Sequence, residues 1–172
     1  MRDGRSSWAP LAIRGAFCGR KEFGMHVLIC DDDAAFGARM ADYIHDYFEA
    51  RSVQLQTVVC TGAAEALRTP YLELYQLAFL DVDMPGTNGI ALGRELKQRS
   101  PDIRLVYVSA YLEFAPEGYT VNAYRYLLKR DIARMLPKCL DDLLAAFTDQ
   151  HRTLTVHHNR ATSEIPLYQI YY

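Results

Sequence analysis

From Met25 to about position 148, short apolar runs alternate with stretches of helical periodicity, and this alternation restricts the chain more than any other feature. HVLIC (26–30), VQLQTVVC (53–60), LAFL (77–80), IRLVYVSA (103–110) and AYRYLLK (123–129) are too short for helices and are bounded by turn formers, so they read as strands. Between the first two lies a helical stretch over 31–50, with Phe36, Met40, Tyr43, Ile44, Tyr47 and Phe48 at the spacing of one face. Thr61 is placed to cap a short helix through Leu67, and Asn88 to cap GIALGRELKQRS, which stops before Pro101. A short helix is expected near Tyr111–Gly118, and a last one over 131–147, kinked or restarted at Pro137.

Five strands separated by helices require a parallel sheet covered on both faces. With right-handed crossovers and about 125 residues, the expected fold is α/β, a flavodoxin-like doubly wound sheet of order 2-1-3-4-5. Such sheets bind ligands beyond the carboxyl ends of their strands, near the point where strand order reverses. At those ends stand Asp31, Asp32 and Asp33 after the first strand, Asp81 after the third, Ser109 in the fourth and Lys129 after the fifth. Carboxylates crowded on one edge repel one another and invite a divalent cation. An all-oxygen set suits Mg²⁺, which keeps water and phosphate among its ligands. With charge neutralised, Asp81 can attack phosphorus, while Lys129 and Ser109 hold the phosphoryl oxygens.

The residues in this order resemble the receiver domain of bacterial two-component response regulators. The likeness rests on the acidic pair after the first strand, "LDVDMPGTNG", "VYVSA" and "YRYLLK", and covers residues 25–149. It implies that Asp81 accepts the phosphoryl group in a self-catalysed reaction, so the chain is not an enzyme in the ordinary sense. Asp31, Asp32, Asp81 and the main-chain carbonyl of Asp83 are then the Mg²⁺ ligands. Ser109 becomes the switch hydroxyl, Lys129 the phosphoryl-contacting lysine and Tyr126 the aromatic that turns with the switch. A sensor histidine kinase is the implied donor. A homodimer forms on phosphorylation through the face of the fourth helix, fifth strand and fifth helix. In the family a proline, often cis, usually follows the lysine. Here Arg130 does, and because a non-proline cis bond costs about 3 kcal/mol, a trans bond is expected.

"VSAYLEFAPEGYTVNAYRYLLK" is similar to receivers of the LytTR class, and "RTLTVHHNRATSEIPLYQIYY" to the opening strands of the LytTR DNA-binding domain. Residues 150–172 are therefore expected to be a linker and the start of an incomplete domain, a short β extension. A lone hairpin is marginal in water. This one has only Arg152 and Arg160 as fixed cations, so DNA binding is expected only through a complete C-terminal domain. Residues 1–24 carry five Lys/Arg against two acids, lack periodicity and read as a disordered N-terminal extension.

Other bulk properties exclude more than they identify. Residues 25–150 hold twelve basic against eighteen acidic side chains, which argues against a nucleic-acid grip by this part. The four cysteines are scattered without metal-ligand spacing, and no apolar run reaches the roughly eighteen residues of a membrane span. A cytoplasmic protein with no membrane partner is expected. Two other functions compete. "FLDVDM" also fits the DxD signature of haloacid-dehalogenase-like phosphotransferases, with Asp81 as nucleophile and Asp83 as acid/base. That family carries its DxD after the first strand, whereas here fifty-six residues precede Asp81 even when counted from Met25. A receiver fold serving only as an interaction module is the other, and the intact Asp32, Asp81, Ser109 and Lys129 set argues against it.

Overall fold

A computed structural model describes residues 24–150 and two strands beyond them, 153–158 and 161–166. The five expected strands pair in parallel in the order β2-β1-β3-β4-β5. They are β1 (Gly24–Cys30), β2 (Gln54–Cys60), β3 (Leu77–Asp81), β4 (Arg104–Ser109) and β5 (Arg125–Leu128). Helices α1 (Ala34–Glu49), α2 (Ala63–Ala66), α3 (Gly89–Arg99), α4 (Ala115–Thr120) and α5 (Ile132–Gln150) alternate with them. The fold is therefore the doubly wound α/β sheet expected from the alternation.

Period-two alternation along the strands divides the core into two apolar clusters. Leu28, Leu80, Leu105 and Tyr107 join Ala66, Leu92 and Leu96 of α2 and α3 on one face. Val27, Ile29, Phe79, Val106 and Leu127 meet Met40, Ile44, Phe48, Leu140 and Leu143 of α1 and α5 on the other. Every residue of β3 is buried, as a central strand covered on both faces must be.

Several local expectations change. Tyr43, counted on the apolar face of α1, is 41% exposed because it lies at the margin of the stripe through Met40, Ile44 and Phe48. Thr61 does not cap α2, whose N-cap is Gly62. Its N–H and hydroxyl instead meet Glu65 Oε2 at 2.9 and 3.3 Å. Pro137 does not interrupt α5. It sits in the second turn, where the missing N–H would have reached only Ala133, an exposed residue with water at hand. Strand β5 stops at Leu128, so Lys129 begins a 3-10 turn over Lys129–Asp131 rather than ending the strand. Its bond to Arg130 is trans, as expected for a residue other than proline.

The N-terminal boundary shifts by one, since Gly24 already belongs to β1, and residues 1–23 lie outside the described residues. The C-terminal extension contains an antiparallel hairpin, β6 (Thr153–His158) with β7 (Ala161–Pro166), in which His158 pairs with Ala161. Arg152, Arg160 and the final apolar run from Leu167 lie outside the described residues. No described helix is long and apolar enough to cross a membrane.

Candidate functional site

Strand order reverses between β1 and β3, which lie side by side with Cys30 paired to Leu80. The next residue in each strand is an aspartate. Asp31 and Asp81 are thus neighbours by register, at 1% and 4% exposure. The loop after Asp81 is held close to the sheet by Gly89. A Cβ there would lie 1.8 Å from the Asp81 carbonyl oxygen, so only glycine lets α3 start where it does. Asn88 Oδ1 accepts from Ile90 N–H at 2.7 Å, and Gly89 N–H donates to the Val82 carbonyl at 2.9 Å, which fixes the loop's return.

Lys129 joins the two carboxylates. Its Nζ lies 2.7 Å from Asp81 Oδ2 and 2.8 Å from Asp31 Oδ2. The other oxygens are held by the backbone: Asp33 N–H donates to Asp31 Oδ1 at 2.9 Å, and Asp83 N–H to Asp81 Oδ1 at 3.3 Å. Asp31 Oδ2 is buried, and the partner that meets it is the Lys129 ammonium. Burial pushes the Asp31 pKa above the usual carboxylate value, against the lowering influence of the ammonium. For Lys129, burial works downward, but Asp31 and Asp81 together outweigh it and raise its pKa. The lysine is therefore firmly charged between two carboxylates.

Asp32 is exposed at the mouth of the site, and oxygens of Asp31, Asp32 and Asp81 lie within 4.8 Å of one another. Three carboxylates against one ammonium leave the cluster negative. Hard oxygen donors from three carboxylates whose charge one ammonium does not balance fit a divalent cation such as Mg²⁺. Asp83 is exposed and does not add a side chain to this cluster, so only its backbone is available for the role expected of it.

Ser109 ends β4 one residue beyond Val108, the register partner of Asp81, and is fully buried. Its Oγ accepts from Tyr111 N–H at 3.1 Å, while the Tyr126 hydroxyl donates to the Tyr111 carbonyl. The two expected switch residues are thus tied to opposite ends of one peptide residue. The Tyr126 ring already lies against this loop and tilts toward Tyr107, with centroids 6.4 Å apart. Burial raises the Tyr126 pKa, so its hydroxyl stays a donor.

Sequence reading missed one contact. Lys129 Nζ sits 4.7 Å from the centroid of the Phe36 ring, on the first turn of α1. The signal was present: Asp33 caps the helix through Ala35 and Phe36 N–H, both at 3.0 Å, so Phe36 must lie beside the aspartates.

A doubly wound sheet thus carries, at one edge, carboxylates from two adjacent strand ends, a bridging lysine and a buried hydroxyl. The family model for the response regulator receiver domain matches residues 27–139, and the chain belongs to that family. It is 32% identical over 143 residues to an uncharacterized response regulatory protein of Shewanella oneidensis, covering 82% of this chain and 57% of that protein. The sensory transduction protein LytT of Enterococcus faecalis is 29% identical over 105 residues, covering 61% of this chain and 42% of LytT. The chain spans about half the length of these curated relatives. The response regulatory domain of MrkE from Klebsiella pneumoniae superposes with a TM-score of 0.64 at 22% identity, over 73% of this chain and all of that one. These matches lend no support to the haloacid-dehalogenase-like alternative.

Proposed function

We propose that the chain is the phosphoryl-accepting input of a two-component response regulator, with Asp81 as acceptor and a sensor histidine kinase as donor. The observation that carries this is the Lys129 ammonium held between Asp31 and Asp81, with Asp32 beside them. Asp31, Asp32, Asp81 and the Asp83 carbonyl would hold Mg²⁺, which supplies charge neutralisation for the transferring phosphoryl group. An Asp81 oxygen attacks phosphorus as the P–N bond of the phosphohistidine breaks, and the imidazole leaves with the bonding pair. Lys129 and Ser109 turn toward the phosphoryl oxygens. When the Ser109 hydroxyl leaves Tyr111 N–H, the loop that also holds Tyr126 is released, changing the face made by α4, β5 and α5. Dimerisation through that face follows. Transcriptional output belongs to a LytTR-type DNA-binding domain, whose opening the hairpin region resembles. LytT, named as a sensory transduction protein, supports this class.

Incubation with acetyl phosphate and Mg²⁺, followed by intact mass, tests the reading. One phosphoryl mass is expected on the wild type and none on Asp81→Asn, whose amide preserves shape. Labelling that persists in that variant overturns the assignment of Asp81. Repeated turnover of a generic phosphomonoester overturns the receiver mechanism itself.

A further inference from the structure

We propose that Phe36 is a positioning residue for Lys129, its ring holding the ammonium in place where this chain lacks the proline usual after that lysine. The inference rests on the phosphoryl-accepting reading above and names a residue that the reading does not use.

Three surfaces surround the ammonium. Asp31 and Asp81 take two directions at 2.8 and 2.7 Å, and the Phe36 ring lies on a third at 4.7 Å. An aromatic face attracts a cation through its quadrupole, most strongly where water is partly excluded, and the Lys129 side chain is only 21% exposed. The contact joins the first turn of α1 to the 3-10 turn after β5, two segments with no backbone pairing between them. Its position is set from the α1 side by Asp33, which accepts from Phe36 N–H at 3.0 Å. Gly37, the next residue, packs closely on Val59, where a Cβ would lie 3.1 Å from Cγ1, so this turn has little room to move.

The ring matters most when the carboxylates are otherwise engaged. A cation bound to Asp31 and Asp81 weakens their hold on the ammonium by competition, while the neutral ring keeps its attraction. Phe36 then keeps Lys129 at the site instead of letting it swing to solvent beside Arg130, which is exposed. Arg39 lies farther from the same ring, 5.8 Å, and is exposed. It does not replace the lysine.

The test compares Phe36→Leu, Phe36→Tyr and Phe36→Trp in the full chain, by two measurements. The first is the NMR shift of the Lys129 ε-methylene with and without Mg²⁺, which reads the ring current and needs no phosphorylation. The second is the initial rate of labelling by acetyl phosphate in Mg²⁺. We expect Phe36→Leu to lose the ring-current shift and slow labelling roughly fivefold, the scale of one such contact. Both aromatic variants should restore both signals, which a role in packing alone does not require. A Lys129 shift and rate in Phe36→Leu equal to wild type overturn the proposal. So does a rate loss that the aromatic variants share. If the wild type is never labelled, the phosphoryl-accepting reading fails. An intact ring-current shift lost in Phe36→Leu then still marks the contact as the place where the ammonium is held.

Discussion

Replacing Lys129 with Met removes the cation that joins Asp31 and Asp81 while keeping an apolar stem. Taking one partner from a buried ion pair costs about 3–5 kcal/mol, because the remaining charge stays desolvated. Two features reduce that here. The Lys129 side chain keeps 21% exposure, so part of its attraction is already screened by water. Asp31 also has a raised pKa, through burial first, so it can relieve the repulsion by taking a proton. The expected loss of stability without metal is therefore ~2 kcal/mol at neutral pH. Its pH dependence has a definite sign. An acid with a folded pKa above its unfolded value favours the fold below the unfolded pKa, and that contribution is lost as pH rises through the folded one. Removing the ammonium, which had lowered the Asp31 value, moves that upper limit higher. The gap between variant and wild type should thus shrink as pH falls from neutral toward the carboxylate range.

Magnesium provides the second half of the experiment. In the wild type the cation must compete with the ammonium for Asp31 and Asp81; in Lys129→Met it does not. A ligand at 100 times its Kd stabilises by about 2.7 kcal/mol, so a tighter site gains more from the same concentration. Urea unfolding followed by far-UV circular dichroism, with and without Mg²⁺, measures this directly. We expect the stability gap to narrow to under about 1 kcal/mol in saturating Mg²⁺. A gap that is the same with and without Mg²⁺, or a metal-free variant as stable as the wild type, would refute the argument that one cation substitutes for the other.

Gly89→Ala should cost about 3 kcal/mol or more and abolish Mg²⁺ binding, since the new methyl meets the Asp81 carbonyl at 1.8 Å and only backbone movement can relieve it. Urea unfolding together with a Mg²⁺ titration checks both effects; a stable variant with intact metal binding would show that the loop tolerates displacement. Ser109→Ala should still be labelled by acetyl phosphate but should not dimerise in response to phosphorylation, because no hydroxyl remains for the phosphoryl oxygens to draw away from Tyr111 N–H. Light scattering of the labelled protein gives the outcome, and unchanged dimerisation places the switch elsewhere.

The order of the sheet was legible because the strand-forming runs are short, apolar and regularly spaced, and parallel pairing follows from the helices between them. What escaped depended on three-dimensional neighbours. Pro137 marks a break by local preference, yet its position in the second turn leaves only one carbonyl without its N–H, and α5 continues. The apolar period that places Phe36 on α1 says nothing of Lys129, almost a hundred residues away in sequence. Their contact arises only when the first and fifth strand ends reach the same sheet edge. Gly89 looked like an ordinary residue after an N-cap, and the reason for it lies in the Asp81 carbonyl across the loop.

The three consecutive aspartates make the same point within one segment. The family resemblance assigns Asp31 and Asp32 to the metal and leaves Asp33 without a role, and the end of β1 gives each of the three a different environment. Asp31 follows directly from the buried strand and shares the Lys129 ammonium, at the cost of desolvation that raises its pKa. Asp32 is exposed at the mouth, close enough to join the carboxylate cluster. Asp33 is exposed and already occupied, accepting from Ala35 and Phe36 N–H at the start of α1, and these backbone bonds lower its pKa. A carboxylate stabilised in its charged form by helix donors is a poor choice for a nucleophile and a good one for a cap. The division also ties lysine and helix through one short turn: the aspartate that caps α1 sets the turn carrying Phe36, whose ring lies against the ammonium paired with Asp31 and Asp81.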